Sequence, residues 1–131
     1  MIQSSVYDYV KVLDKAADAA WLRNEAIANN IANAATPLYK REDVDFESQL
    51  RTAMGSSRYE SMDAKVSRLN RHLRELEPTT YTDSMSYSYR LDGNNVDIDT
   101  ENVELASEQL RYQTEIQSVT MDFTRLKTVI K

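Results

Sequence analysis

The sequence predicts a mainly α fold. Long N- and C-terminal helices pack together as an antiparallel, coiled-coil pair, with a small middle insertion of short helices plus an extended or β arm. Three observations predict it. Only two Gly and two Pro occur in 131 residues, so few turns are forced and long uninterrupted helices are favoured. Apolar and small residues recur at alternating four- and three-residue spacings at both ends of the chain, the period of a helical seam. Large apolar residues are also scarce. Val, Ile, Leu and Phe together make up roughly one residue in five, near the level at which a chain cannot bury a generous core of its own, and cover from partner subunits is expected.

The N-terminal helix is expected from about residue 5 to 34. Ser5 and Asp8 form a capping-box signal, followed by the stripe Val6, Val10, Leu13, Ala17, Ala20, Asn24, Ile27, Ile31 and Ala34. The stripe is narrow and rich in small residues, which let another helix come close. Thr36 and Pro37 end the helix, because Pro has no amide proton and pushes the preceding residue out of the α region. After an extended link, Asp43 or Asp45 can cap a short helix reaching about Met54, with Phe46 and Leu50 on one face. Gly55, Ser56 and Ser57 break it.

Ser57 and Glu60 form a second capping box before Met62, Val66, Leu69, Leu73 and Leu76, which predicts a helix over 58–77 stopped by Pro78. From Thr79 to Leu91 the period changes: Met85, Tyr87, Tyr89 and Leu91 alternate with polar residues, as in a strand or extended arm. Asp92, Gly93, Asn94 and Asn95 make a turn. Asp99 or Thr100 can then cap a last helix running to the C-terminus, with Glu101 and Glu104 favourable to its dipole at the start and Arg125, Lys127 and Lys131 at its end. Its stripe is Leu105, Gln109, Tyr112, Ile116, Val119, Phe123, Leu126 and Ile130. The chain thus divides into an N-terminal helix (1–35), a link and short helix (36–57), a middle region (58–95) and a C-terminal helix (96–131).

A hairpin of the two terminal helices buries one face of each. It leaves Val12, Leu22, Val103, Leu110 and Met121 without cover. The residues expected at assembly interfaces are therefore those of the two stripes: Val6, Val10, Leu13, Ala17, Ala20, Ile27 and Ile31 at one end, and Leu105, Tyr112, Ile116, Val119, Phe123, Leu126 and Ile130 at the other.

Chemistry-bearing patterns are few. A net charge of −5 and a pI near 4.9 argue against nucleic acid, which selects for a basic stripe. The tyrosines Tyr81, Tyr87 and Tyr89 stand among acids, where a half-buried interface face fits better than a base-stacking platform. No apolar run spans a bilayer and no continuous apolar stretch marks a cleavable signal at the start, so neither membrane insertion nor a signal peptide is expected. The chain has no Cys, which removes disulfides, thiolate metal sites and Cys nucleophiles. His72, the only His, lies between charged helix residues and reads as exposed. The acids Glu42, Asp43, Asp45 and Glu47 have no second cluster to complete a cation site, so capping and solvation suit them. The Asp92 to Val103 stretch has Gly second, not sixth, and Val103 in place of the closing Glu of a calcium loop. No phosphate loop, nucleophile elbow or His pair for a metal occurs. No enzyme activity, cofactor, metal or small-molecule substrate is expected.

Two motifs carry a resemblance. Asn29 to Leu50, NNIANAATPLYKREDVDFESQL, resembles the N-terminal signature of the flagellar rod and hook axial proteins, in which a helix ends in an N-I-A-N-x-x-T-P-G-Y-K type sequence. Asn30, Ala32, Asn33, Thr36, Pro37, Tyr39 and Lys40 match it. The C-terminal stretch LDGNNVDIDTENVELASEQLRYQTEIQSVTMDFTRLKTVIK looks like that of the proximal rod members, with Asp92, Gly93, Asn94, Val96 and Asp97 matching. The resemblance implies a structural subunit of the flagellar basal-body rod, whose terminal helices form the inner layer of a torque-transmitting helical tube. It implies export by the flagellar type III apparatus without a cleavable signal and assembly in the periplasm. The implied partners are copies of itself, other rod proteins and the FliE-type junction protein. The Asn and Thr side chains then read as helix-end caps, and Tyr39 as an anchor for the link. Leu38 stands where the family commonly has Gly; after Pro it fits a type I turn with negative φ throughout. The rival readings are a soluble helical adaptor or chaperone-like binding module, and a distal rod or hook relative.

Overall fold

The computed structural model describes residues 3–55, 59–84 and 90–130. Helix α1 (Gln3–Ala32) and helix α4 (Ile98–Val129) run side by side. They are antiparallel: Asn30 meets Glu101, Arg23 meets Glu108 and Trp21 stacks obliquely on Tyr112, with ring centroids 6.0 Å apart. Between them the chain forms strand β1 (Glu42–Asp45), helix α2 (Glu47–Met54), helix α3 (Met62–Arg71) and strand β2 (Thr79–Thr82). The fold is mainly helical, as the low Gly and Pro content predicts.

The termini of these elements differ in detail from the expected ones. Helix α1 begins at Gln3, so Ser5 lies inside it and does not cap it. It ends at Ala32, with turns from Asn33 through Leu38. The N-cap of α4 is Asp97, whose carboxylate accepts from the Asp99 amide at 3.1 Å; Asp99 and Thr100, the expected caps, are already within the helix. Helix α3 is much shorter than the expected 58–77. Ser61 caps it by accepting from the Ala64 amide, and after Arg71 the chain tightens into three-residue turns, Leu73 to Asn70 and Glu75 to His72. Leu76 is buried from outside the helix. Ser57, the expected cap, and residues 85–89 of the expected arm, with Met85, Tyr87 and Tyr89, lie outside the described residues.

Strand β1 was not expected, since EDVD has little intrinsic strand preference. Its backbone partners create it. One edge pairs antiparallel with β2, Glu42 opposite Thr82 and Asp45 opposite Thr79. The other edge meets side chains of α1: Asn30 donates to the Glu42 carbonyl and accepts from its amide, and Arg23 donates to the Val44 carbonyl at 2.6 Å. The Asn30 amide thereby stands in for a neighbouring strand.

Val44 and Phe46 enter the core against Ala19 and Ala26, with Leu22 and Leu50 at the margin. The small residues here make room for β1 and the start of α2, not for another helix. Phe46 precedes α2 as its N-cap without a side-chain cap bond; Asp45, expected to cap, instead accepts from the Ser48 hydroxyl. Helix α3 folds back on the first half of α1, burying Val66 and Leu69 and bonding Asn70 to the Asp8 carbonyl and Ser67 to its carboxylate. Phe46 is 3% exposed and fills the hollow left by two alanines. Phe46→Ala is expected to cost about 3–5 kcal/mol, read as a lowered denaturation midpoint in urea.

Candidate assembly site

The two sequence motifs, about sixty residues apart, form one structure at the closed end of the hairpin. Amides of Asn33 and Ala34 close the last turn of α1, and the second motif supplies donors to the carbonyls of the turns that follow. Nδ2 of Asn94 lies 3.0, 3.2 and 2.8 Å from the carbonyl oxygens of Asn33, Ala34 and Thr36. Arg90 donates to the Ala34 carbonyl as well. The Oδ1 of Asn94 accepts from the Val96 amide, and Asp92 Oδ1 accepts from the Asn94 amide, which holds the Asp92 carboxyl below its ordinary range. Asn94 is fully buried, so this cap is sealed from water. Asn33 back-bonds to the Asn29 carbonyl and Thr36 bonds to Asn33.

Asn30, also fully buried, does more than a helix-end cap. Besides its paired bonds to Glu42, its Nδ2 donates to Glu101 at 3.0 Å and its Oδ1 accepts from the Tyr39 hydroxyl at 3.2 Å. Every donor and acceptor of the amide is used. Lys40 donates to the Gly93 carbonyl, and Asn95 accepts from the Arg41 amide while donating to the Asp83 carbonyl.

Leu38 overturns the negative-φ expectation: its φ is +63°. The chain must turn from the α1 axis into β1 while the Leu38 amide donates to the Asp92 carbonyl at 2.9 Å, and the left-handed conformation satisfies both. For a residue with a Cβ this costs roughly 1–2 kcal/mol. Gly93 across from it also has positive φ, +74°, and a Cβ there would come within 3.0 Å of the Leu38 side chain. The positive φ favours Gly at 93, and the exposed Leu38 side chain lies over it.

Along the hairpin the seam is polar. Arg41 bonds Glu101 at 2.5 Å, Glu104 at 2.6 Å and Asp43 at 3.0 Å. Arg23 makes a bidentate pair with Glu47 at 2.7 and 2.6 Å, and Arg111 of α4 reaches the same carboxylate at 2.6 Å. Glu47, first residue of α2, thus ties α1, α4 and α2 together. Bonding to Arg23 holds its carboxyl down at about 2, against the opposing effect of burial. Of the four acids expected to be capping or solvated, Asp43 and Glu47 therefore engage arginines. Glu108 and Glu115 behave oppositely: burial raises both above the ordinary range, outweighing Arg23 and Arg111 for the first and Arg111 for the second. Glu108 Oε1 has no hydrogen-bond donor among the described residues.

The two stripes divide by exposure. On α1, Ala17, Ala20 and Ile27 are buried, Val10, Leu13 and Ile31 half-buried, and the side chain of Val6 lies outside the described residues. On α4, Leu105, Tyr112, Val119 and Leu126, seven apart, are half-buried on the side of Glu101 and Glu108 that faces α1. The companion series Ile116, Phe123 and Ile130 is 42, 52 and 81% exposed. Val103, Leu110 and Met121 are exposed too, and at 100° per residue they lie on the far side of α4 from its α1 contact. Val12 and Leu22 are half-buried. Of the remaining residues of the two motifs, Ala32, Pro37, Lys40 and Asp97 are exposed and Val96 is buried. Sequence reasoning missed Arg23, Arg41 and Glu108, and gave Glu47 and Asn95 only solvated-acid and turn roles. Glu101, Glu108 and Glu115 recur every seven residues in phase with Leu105 and Tyr112, a signal that the seam is part acidic.

No protein-family model matches the chain. Curated relatives do: the flagellar basal body rod protein FlgB of Cereibacter sphaeroides is 38% identical over 114 residues, 83% of each chain. The FlgB of Bacillus subtilis is 32% identical over 130 residues, 92% of each chain. The chain belongs to the FlgB family of flagellar basal body rod proteins. The FlgB of Escherichia coli is similar as well, 32% identical over 114 residues. As a FlgB family member, the chain is a structural protein of the flagellar rod, and no described helix is long and apolar enough to cross a membrane.

Two outcomes are expected. Asn94→Ala strips the turns after α1 of their buried donor and lowers stability by about 1–3 kcal/mol, measured by urea denaturation. Glu108→Gln raises stability at neutral pH. The raised carboxyl of Glu108 means the folded chain keeps that proton to higher pH than the unfolded chain, so its contribution declines as pH rises above the ordinary value of 4.5. Thermal melts of the variant should lack that decline. The loss at acid pH owed to Glu47, whose depressed carboxyl contributes fully above 4.5 and is lost as pH falls through about 2, should remain in both chains.

Proposed function

We propose that this chain is a non-catalytic subunit of the proximal rod, assembling through its terminal helices into a helical tube that transmits torque. The observation that carries the reading is the apolar surface that α1 leaves exposed on α4: Ile116, Phe123 and Ile130 along the margin of the α1 contact, and Val103, Leu110 and Met121 on the far face. A helix apolar around much of its circumference is normally enclosed on several sides, and a single hairpin encloses only one. Packing with copies of itself and with neighbouring rod proteins, including the FliE-type junction protein, supplies the remaining cover in a coiled-coil arrangement. The assembly residues of both stripes then play two roles. Leu13, Ala17, Ala20, Ile27, Leu105, Tyr112, Val119 and Leu126 hold the hairpin, and Ile116, Phe123 and Ile130 meet other subunits.

Passage through the flagellar type III apparatus without a cleavable signal, and assembly in the periplasm, complete the proposal. The polar seam suits such a route: with few large apolar side chains, the chain has a modest driving force to collapse before it reaches its partners. Ile116→Asp with Phe123→Asp is the test. Both positions are exposed, so the purified variant should keep its helicity and melt within about 0.5 kcal/mol of the parent. Introduced into cells deleted for their own rod subunit of this family, the parent should restore swimming in soft agar and the variant should not. Full swimming by the variant overturns the proposal and favours an adaptor that works as a closed monomer.

A further inference from the structure

The two outer edges of the β1–β2 ribbon are treated differently by the rest of the chain. Asp83 donates its amide to the Arg41 carbonyl at 2.8 Å, and Glu42 lies opposite Thr82 and Val44 opposite Thr80. The alternation of an antiparallel pair then turns the amides and carbonyls of Thr79 and Tyr81 towards β1 and those of Thr80 and Thr82 away from it. The matching outward groups of β1 belong to Glu42 and Val44, and side chains meet all four. Asn30 takes both groups of Glu42, Arg23 the Val44 carbonyl and Asp43 the Val44 amide, at 2.7 Å. On β2 the four outward groups of Thr80 and Thr82 have no partner among the described residues; Gln49 reaches only the Thr79 hydroxyl, at 3.3 Å. Thr79–Thr82 is exposed throughout, and neither Lys nor Pro stands within it to blunt the edge.

The surroundings of this edge are acidic. From Glu75 to Ser84 the chain has Glu75, Glu77 and Asp83 and no Lys or Arg. Glu42, Asp45 and Glu77 make no ion pair among the described residues, and Arg41 is already engaged by Asp43, Glu101 and Glu104. Burial raises the Tyr81 phenol above its ordinary value, Asp43, Asp83 and Asp45 raise it further, and Arg41 alone opposes them, so the field at the strand is negative. Tyr81 is 48% exposed, and an exposed phenol ring is itself a partner for a cation.

We propose that the open edge of β2 accepts an extended, basic segment of a partner protein as a third strand, its main chain bonding Thr80 and Thr82 and its Lys or Arg side chains meeting the acids around Tyr81. Strand addition takes its affinity from the main chain and its selectivity from the side chains. A second copy of this chain is the poorer occupant, because its own open edge brings the same acids face to face. The docking is separate from the rod reading, and neither depends on the other.

Amide exchange of the purified chain, followed by NMR, reads the edge directly. Thr80 and Thr82 should exchange freely while Tyr81 and Asp83, turned to β1, are protected. A short peptide of alternating Lys and Thr at low salt should slow exchange at Thr80 and Thr82 by about tenfold or more, and its Glu and Thr counterpart should leave both unchanged. Thr80→Pro removes one outward amide and no bond to β1. Its melting temperature should hold within a few degrees while affinity for the Lys peptide falls about tenfold; Thr80→Ala, which keeps the amide, should bind as the parent does. The Lys peptide N-methylated throughout should lose its binding to the unaltered chain, a result that decides the matter even where Thr80→Pro does not fold. Undiminished binding by the N-methylated peptide, no slowing by the Lys peptide, or equal slowing by the Glu peptide overturns the proposal. So does protection of Thr80 and Thr82 in the chain alone, which, if it grows with concentration, makes a second copy the occupant.

Discussion

The carboxamide of Asn94, buried under the last turn of α1, is the contact on which the rest of the structure depends. The chain leaving a helix carries carbonyls that water must solvate or a donor must meet, and here the donor to the turns after α1 comes from a segment sixty residues further on. That one side chain orients the Asp92–Gly93 turn, which in turn accepts the Leu38 amide and sets where α4 begins. The direction of α4 relative to α1 follows, because Val96 hangs from the same carboxamide and Asp97 caps the helix directly after it. Asn30 repeats the device one turn back, with an amide that serves β1 on one side and Glu101 on the other. Two buried amides with filled hydrogen-bonding capacity thus define the register of the hairpin, since a slip of either helix would leave them unpartnered.

Beyond that end the hairpin is joined more by charge than by oil. Three arginines, Arg23, Arg41 and Arg111, serve six carboxylates from β1, α2 and α4, and the acids outnumber them. Buried pairs of this kind fix geometry more than they add stability, because desolvation offsets much of the attraction. The opposite displacements of Glu47 and Glu108 show the balance falling on either side: a bidentate arginine outweighs burial at the first, and burial outweighs more distant arginines at the second. The apolar contribution is concentrated instead around Phe46, Val44 and the alanines of α1. A pair of long helices joined in this way keeps its large apolar side chains, notably Phe123 and Ile116, outside.

Much of this was legible in the sequence. Helical period and the lack of Gly and Pro located both terminal helices to within a few residues, since those signals are local and repeated over eight turns or more. The motif residues of the two segments meet at the closed end of the hairpin. What periodicity cannot carry is contact between distant segments. Strand β1 owes its existence to Asn30, Arg23 and β2, so its acids look like a solvated run until those partners are in place. Leu38 reads as an ordinary residue after Pro, and only the demand of the Asp92 carbonyl forces it left-handed. The four-three stripe of α4 looks like a single seam, yet the acids in phase with it draw the contact to one side and leave half of the stripe outside.

The two strands of the ribbon leave and rejoin the hairpin at the same place. The Leu38 amide meets the Asp92 carbonyl and the Asp83 amide meets the Arg41 carbonyl, so the chain that departs after residue 41 returns within hydrogen-bonding distance of its point of departure. Everything from β1 to β2 is, in construction, an insert between neighbouring anchor points. Such an insert can be lengthened or shortened beyond α2 without altering the distance between its ends, so long as Val44, Phe46 and Glu47 keep their places against the two helices.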